Sequence, residues 1–451
     1  MKIIIVGCGK IGTSLAERLC REGHDLVLVD LSAEKIEDVS SRYDAMGIVG
    51  NGASFNVQMD AGVESADLFI AVTGADELNL LCCLIAKKSG RCQTIARVRN
   101  PMYSKEIGFI REQLGISMII NPELTAAREI LKLLKFPSAI KIDTFAKGRV
   151  ELLRFKLTSR TGLDGMTVMD AMNRLKTDVL ICAVERGEDV VIPGGNFELR
   201  NDDILSIVGS LKATADFFEK IGLRSRRVRN SLIIGGGTIS HYLAQSLLKL
   251  GFRVRIIENN RDRCEYLSGV LPGADIINGD GSNQHLLMEH GLSQADSFIA
   301  LTNLDEENIF LTLFAKMHSN AKLIAKVNRI AFNDVVDSLD IGSVIYPKYL
   351  TADYILKYVR ARQNSMGSNV ETLYKILDDR AEALEFSIHE PSAVTDVPLN
   401  ELNLKDNLLL CCINRNGTIL TPRGQNRIQV GDTVIVVTTH RGLQNVCDIL
   451  K

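Results

Sequence analysis

The sequence predicts an α/β protein made of two tandem copies of one plan, each a parallel-sheet domain followed by a small α+β domain. Three observations predict it. Short apolar runs alternate with amphipathic stretches from the first residues onward, as parallel strands separated by helices do. A glycine-rich segment, Gly7 to Gly12, stands where the first apolar run gives way to the first amphipathic stretch. The pattern of the first half then returns in the second at a spacing of 228 or 229 residues.

In the first copy the expected strands are Lys2 to Val6, Asp25 to Val29, Met46 to Val49, Leu68 to Val72, Thr94 to Arg97 and Met118 to Ile120. Between the first two, Ile11, Leu15, Ala16 and Leu19 make an apolar stripe on one helical face, and Gly23 lies where a helix commonly stops. After about Phe136 the rhythm changes. Val150 to Leu157 reads as a strand, Met166 to Leu175 as a helix, and Val179 to Val184 with Asp189 to Ile192 as a hairpin around Arg186-Gly187. A strand from Asp203 to Val208 and a helix from Ala213 to Ile221 close the copy. The second copy is expected to show the corresponding elements, with its hairpin at Asn416-Gly417 and its last strand at Thr433 to Val437.

The repeat is carried by dispersed pairs. Gly7 matches Gly235 and Asp30 matches Glu258 at an offset of 228. An offset of 229 joins Ala66–Thr73 to Ala295–Thr302, Asp76 to Asp305, Asn79 to Asn308, Arg97 to Lys326, Pro193 to Pro422 and Asp203 to Asp432. Pro122 matches Pro347 at 225, so about four residues are missing after Asn328 in the second copy, which shortens a loop. The expected domains are 1–136, 137–224, 230–360 and 367–451, the halves being joined by a basic linker from Arg224 to Asn230 that reads as a solvated connector.

Gly7-Cys8-Gly9-Lys10-Ile11-Gly12 is a G-x-G-x-x-G sequence between an expected strand and helix, the context of a Rossmann-like nucleotide site. Gly7 permits the tight turn, Gly9 lets the backbone approach phosphates, and Gly12 lets the helix pack close to the sheet. The helix N-terminus offers unpaired N–H groups to an anion. Asp30 ends the next strand 21 residues beyond Gly9, where a carboxylate accepts hydrogen bonds from ribose hydroxyls. A carboxylate there repels a 2′-phosphate and disfavours NADP. NAD(H), ATP and ADP share the same ribose and remain open.

Other candidates lie at strand ends on the same edge. Asn51 and Gly52, in the small-residue turn Gly50 to Ser54, are expected along the adenine edge; Thr73 and Gly74 end the fourth strand. Arg97 and Arg99 leave the fifth strand in alternating directions, and Arg97 is chosen to face a phosphate because Lys326 keeps its charge while Arg99 becomes Asn328. In the second copy the corresponding set is Gly235, Gly236, Gly237, Thr238, Ile239, Glu258, Asp280, Gly281, Thr302 and Lys326. There Ser240 replaces the third glycine, which is expected to push helix and strand slightly apart and to weaken binding.

Composition excludes several classes. With 451 residues, 46% hydrophobic and 24% charged, the chain has the balance of a globular protein of several domains. A formal net charge of −2 from 53 basic and 55 acidic residues gives no field for nucleic acid. The opening apolar run breaks at Gly7, unlike a signal peptide, and no stretch of 18 uncharged apolar residues occurs, so a cytoplasmic location is expected. Ten cysteines without a Cys-x-x-Cys spacing are expected to be reduced and buried, with no metal site.

These residues together resemble the RCK (KTN) domains that regulate potassium transport, and the tandem arrangement resembles the cytosolic regulatory subunits of bacterial Trk potassium uptake systems. The resemblance spans nearly the whole chain. Its specific parts are Lys2 to Gly12, Asp30, the Ala66 to Thr73 strand with Asp76 and Asn79, Ala96 to Pro101, and Asn121-Pro122-Glu123. Asn51, where many relatives carry Asp, and Ser240 depart from it. It implies a nucleotide-sensing subunit that gates a membrane-embedded, TrkH-like potassium transporter from the inner face of the membrane. It also implies a homo-oligomer, plausibly a tetramer.

The competing reading is an NAD-dependent oxidoreductase, which needs a proton donor or acceptor beside the nicotinamide. His24 is the first copy's only histidine, and His241, His285, His290, His318, His389 and His440 show no ligand or triad spacing. No catalytic residue is assigned.

Overall fold

The computed structural model describes residues 1–145, 150–223, 228–328, 341–364, 370–377 and 380–451, with Val336 and Leu339. Most of the basic linker (224–227) and much of the shortened second-copy loop lie outside the described residues.

The first half opens with six parallel strands: β1 (Lys2–Val6), β2 (Asp25–Asp30), β3 (Ala45–Val49), β4 (Leu68–Ala71), β5 (Gln93–Arg97) and β6 (Met118–Ile120). Helices α1 (Lys10–Arg21), α2 (Ala33–Arg42), α3 (Phe55–Asp60), α4 (Asp76–Ser89), α5 (Ile107–Gln113) and α6 (Pro122–Lys135) connect and follow them. The strand order is 3-2-1-4-5-6, the doubly wound Rossmann order, whose reversal between β1 and β4 opens a crevice at the strands' carboxyl ends. Strands β1 and β4 are buried almost throughout, as strands covered by helices on both faces must be. The apolar stripe of α1 holds as expected: Leu15, Ala16 and Leu19 are fully buried, and Gly23 takes φ +75° just past its end.

A five-stranded antiparallel sheet follows, ordered β10-β9-β11-β8-β7, from β7 (Lys141–Phe145), β8 (Val150–Lys156), β9 (Val179–Arg186), β10 (Asp189–Val191) and β11 (Ile204–Gly209). Helices α7 (Val168–Leu175) and α8 (Leu211–Lys220) accompany it. Helix α7 starts two residues later than expected, because the Thr167 side chain accepts the Asp170 N–H and caps it. Strand β7 was not foreseen.

The second half repeats the parallel sheet with β12 (Asn230–Ile234), β13 (Arg253–Glu258), β14 (Ala274–Asn278), β15 (Ser297–Ala300), β16 (Lys322–Lys326) and β17 (Ser343–Ile345) in the same order. Its helices are α9 (Thr238–Lys249), α10 (Arg261–Val270), α11 (Gln284–Glu289), α12 (Asp305–His318) and α13 (Pro347–Asn364). The closing sheet, β18-β19-β22-β20-β21, is built from β18 (Val370–Ile376), β19 (Ala381–Ser387), β20 (Leu408–Arg415), β21 (Thr418–Leu420) and β22 (Thr433–Thr438). Asn416 and Gly417, both at positive φ, turn the expected hairpin.

One expectation fails here. The helices α7 and α8 have no α-helical counterpart in the second small domain among the described residues. The segment around Leu402 and Leu404 is instead tied to the chain end, with Lys405 N–H donating to the Ile449 carbonyl and Lys451 N–H to that of Asn403. Leu399, Leu402 and Leu404 pack on the local core from this irregular path, and the chain finishes in a single 3₁₀ turn, Val446–Ile449.

By internal contacts the chain divides into two compact units, 1–131 with 228–356, and 132–227 with 357–451. Each unit therefore joins like parts of both copies. In the first, the Tyr242 hydroxyl on α9 donates to the Arg99 carbonyl at 2.9 Å and accepts from Asn121 at 3.0 Å. Arg18 on α1 pairs with Asp353 on α13 and lies over the Tyr349 ring. In the second unit, the two antiparallel sheets share one core, where Phe145 meets Tyr374 edge-on at 4.8 Å. The buried Glu185 carboxylate there forms an ion pair with Arg154 at 2.6 Å and accepts from Arg380. Such a pair costs desolvation and fixes geometry more than it adds stability.

Candidate nucleotide cleft

A cleft of about 660 Å³ opens at the carboxyl edge of the first parallel sheet, at the switch between β1 and β4. Of the residues expected there in the first copy, Gly7, Gly9, Lys10, Ile11, Asp30, Asn51, Gly52, Thr73, Gly74 and Arg97 line it. Cys8 and Gly12 do not. Their work is beneath the surface: the Cys8 N–H donates to Asp30, and a Cβ on Gly12 would sit 1.9 Å from the Gly7 carbonyl oxygen. Gly7 itself takes φ +103°, and its Cα faces the Thr73 backbone so closely that a side chain would collide.

Asp30 is held from two sides. One carboxylate oxygen accepts the Cys8 N–H at 2.8 Å and the other the Ser32 N–H at 3.0 Å. Each oxygen keeps a further lone pair, so the carboxylate is oriented without being saturated. At the far side of the turn, Gly9 caps α1 with no side-chain hydrogen bond, and the first turn carries no carboxylate. The N-terminal N–H groups and the positive end of the dipole thus face the cleft uncompensated by an acidic side chain.

The strand ends are fixed by groups that periodicity could not single out. Asn79, fully buried on α4, binds Thr73 and the Arg97 carbonyl, the latter at 3.0 Å. Asp76 accepts the N–H groups of Arg99 and Asn100, both at 2.8 Å, and also pairs with the Arg99 guanidinium. Gln58 holds the Gly50–Ser54 turn by donating to the Gly52 carbonyl at 2.7 Å. Asn51 folds its own turn, accepting the Ala53 N–H at 3.0 Å. Arg97 donates to the Thr73 carbonyl at 3.3 Å and pairs with Glu123 at 3.4 Å, and burial lowers its pKa. Arg97 Nε and Glu123 Oε2 are buried without a hydrogen-bond partner in the protein, which is uncommon for such groups.

Sequence reasoning missed the rest of the rim. Lys35 comes from α2, while Asn328, Pro347 and Lys348 come from the second copy. Four cationic side chains, Lys10, Lys35, Arg97 and Lys348, face two carboxylates, Asp30 and Glu123. The Lys348 pKa is lowered, first by burial, with Lys10 adding to the shift. Among the described residues no histidine lines the cleft.

The second copy repeats the frame and alters the filling. Glu258 accepts the N–H groups of Gly236 at 2.6 Å and Asn260 at 2.8 Å, and Gly237 caps α9 without a side-chain bond, so Thr238 and Ile239 open the helix. Asn308 binds Thr302 and the Lys326 carbonyl as Asn79 does its own pair. Asp280 accepts both the N–H and hydroxyl of Ser282 at 2.8 Å, which lowers its pKa, and Gly281 abuts Ile234. Ser240 does not merely crowd the turn: its hydroxyl donates to the Gly235 carbonyl. Arg263 donates to the Gly236 carbonyl at 2.6 Å while stacked on Tyr266. Lys326 is buried beside the Leu301 carbonyl and the Asn303 side chain, and its pKa is lowered by burial.

Among the described residues no cluster of His, Cys, Asp and Glu could hold a metal, and no cysteine is in a disulfide. Eight of the ten cysteines are buried, in keeping with the expected core role. No helix there is long and apolar enough to cross a membrane.

Fold and site together define a tandem protein of the RCK class, with duplicated Rossmann domains and duplicated small domains. The TrkA-N domain matches residues 3–122 and 231–347, and the TrkA-C domain matches 152–222 and 383–451. The chain belongs to the TrkA family. It is 31% identical over 447 residues to the Trk system potassium uptake protein TrkA homolog 1 of Methanosarcina mazei, covering 97% of each chain. It is 32% identical to the TrkA homolog of Archaeoglobus fulgidus over the full length of both. Among solved structures, the GsuK RCK domain shares the fold with a TM-score of 0.64 at 18% identity, over 97% of this chain and 92% of that one. The GsuK channel bound to NAD gives 0.62 at 19% identity, over 97% and 76%.

Proposed function

We propose that this chain is the nucleotide-sensing regulatory subunit of a potassium uptake system, and that it gates a TrkH-like transporter in the membrane. The observation that carries this reading is the composition of the first cleft. An oriented ribose-accepting carboxylate, an uncapped helix N-terminus and a cationic rim converge there. An adenosine ribose on Asp30 and a phosphate tail over Gly9 and Lys10 satisfy that set. NAD(H), ATP and ADP all carry both groups, and a relative of this fold was solved with NAD.

The same cleft supplies a route to gating. Its wall includes Asn328 and Lys348 of the second copy, so a ligand in it touches both Rossmann domains. A ligand shifts an equilibrium only through different affinities for its two states, and one gripped by both copies has that difference. Coupling of about 1–3 kcal/mol is ordinary for such devices. The four segments 1–136, 137–224, 230–360 and 367–451 act in this scheme as separate domains.

In this reading the protein is a homo-oligomer, a tetramer, docked on the cytoplasmic face of its transporter. Exposed apolar side chains on the Rossmann domains support self-association: Phe310 and Met317 on α12 are 70% and 80% exposed, and Leu81 and Phe109 are exposed in the first copy. The second cleft binds more weakly, because Arg263 already engages its glycine turn and Lys326 is buried among backbone acceptors.

The reading is tested by following thermal stability with NADH, NAD, ATP and ADP, then NADH absorbance with candidate carbonyl and alcohol substrates. Stabilisation without turnover and copurification with a membrane potassium transporter are expected. Steady NADH consumption would assign the chain to the oxidoreductases instead.

A further inference from the structure

We propose that Cys182 and Cys411 are a redox modification site, a pair poised to form a disulfide that staples the two small sheets together. The two residues are equivalent by the internal repeat, 229 apart, and their sulfurs lie 3.3 Å from one another in the shared core of the second unit. Both thiols are free and buried.

The meeting is produced by matched irregularities in the strands. In the pairing of β9 with β11, Ala183 faces Ser206 and Ile181 faces Ile207, so Cys182 is the extra residue of a bulge. In the pairing of β20 with β22, Leu410 faces Val436 and Cys412 faces Ile435, so Cys411 is the extra residue of the equivalent bulge. A bulge re-aims a side chain at the cost of one ladder position. Here two of them direct two thiols at each other across the repeat. Closing from 3.3 Å to the ~2.05 Å of a disulfide is a small side-chain movement.

Burial also selects the oxidant. Neither sulfur is open to a bulky disulfide reagent, because both are buried; the raised pKa of Cys411, set first by desolvation and then by Cys182 beside it, slows attack on every oxidant alike. A peroxide is close to water in size. One thiol reduces hydrogen peroxide and becomes a sulfenic acid, releasing water. The second sulfur then attacks the sulfenic sulfur; the S–S bond forms, the S–O bond breaks, and the departing hydroxide leaves as water with the thiol proton. Two electrons pass from the sulfur pair to the peroxide O–O bond. Cys20 and Cys447 are only half-buried, so their oxidation reports that the peroxide dose reached the chain.

The test uses the full-length chain treated with limiting hydrogen peroxide, then unfolded, alkylated, digested and analysed by mass spectrometry. A peptide linking Cys182 to Cys411 is expected, about 2 Da lighter than its two reduced halves together and released by dithiothreitol. The oxidised chain should also show a higher urea midpoint for its second unit, since the link closes a long loop in the unfolded ensemble. Cys182→Ala and Cys411→Ala should abolish the link and the shift, and Cys412→Ala should retain both. Recovery of Cys182 and Cys411 as alkylated thiols or as sulfinic acids, while Cys20 and Cys447 are oxidised, overturns the proposal. That measurement is made on the unaltered chain and needs no variant to fold.

Discussion

Asn79 holds Thr73 by three hydrogen bonds: its Oδ1 accepts the Thr73 N–H at 2.8 Å and hydroxyl at 2.7 Å, and its Nδ2 donates to the Thr73 carbonyl at 3.3 Å. Asn308 and Thr302 repeat the arrangement in the second copy. In both, a buried amide with two donors and one acceptor oxygen sets the end of the fourth strand against the end of the fifth.

Asn79→Ala removes that clamp and strands the Thr73 N–H and the Arg97 carbonyl beside the cleft. Each stranded group costs about 1–3 kcal/mol. Urea unfolding is therefore expected to shift to lower denaturant with an unchanged slope. A variant within about 0.5 kcal/mol of the parent, the range of ordinary surface changes, would mean that water takes over the amide's role.

Gly12→Ala places a methyl group against the Gly7 carbonyl, where the gap for a Cβ is 1.9 Å. Overpacking of this kind costs about 1–3 kcal/mol. The shift should also misalign the turn, so a fall in both melting temperature and nucleotide affinity is expected. Ser240→Gly in the second copy should behave differently: it creates no clash, and loses one hydroxyl bond to Gly235, worth about 0.5–1.5 kcal/mol, together with up to about 1 kcal/mol for a glycine inside α9.

Much of this was legible in the sequence, for physical reasons. Strands covered on both faces must be nearly all apolar, so β1, β2 and β4 announce themselves, and the glycine turn with Asp30 needs fixed spacing because it is local. Strand β7 was missed because Lys141-Ile142-Asp143-Thr144-Phe145 is an edge strand, polar at three of its five places, with neither an apolar run nor a clean alternation to mark it. The loss of α7 in the second copy was invisible because the replacing path is tied by long-range backbone bonds to the chain end, Lys405 N–H to the Ile449 carbonyl and Lys451 N–H to the Asn403 carbonyl. Lys348 and Asn328 reach the cleft only through packing of one copy on the other, which no local pattern encodes. Gln58 and Asn79 work through long-range bonds to backbone, and a lone amide in a helix carries no signal of that.

Lys348→Glu reverses the charge that the second copy contributes to the first cleft. Binding of nucleotides by isothermal titration should weaken, more for ATP than for ADP, and the difference should shrink as salt rises. Equal losses for adenosine and ATP would assign Lys348 a packing role.

Phe310→Asp and Met317→Asp put charge on the exposed apolar face of α12. Light scattering coupled to gel filtration is expected to show a smaller assembly while circular dichroism stays unchanged. An unaltered mass would remove α12 from the subunit contact.

Equilibrium binding of NADH, NAD, ATP and ADP to the parent chain, to Asp30→Ala and to Glu258→Ala tests the ribose-acceptor role of Asp30. Asp30→Ala should abolish the tighter binding event, since that carboxylate is the ribose acceptor, while Glu258→Ala should leave it in place. Nucleotide affinity unchanged by Asp30→Ala would contradict the assignment of the first cleft.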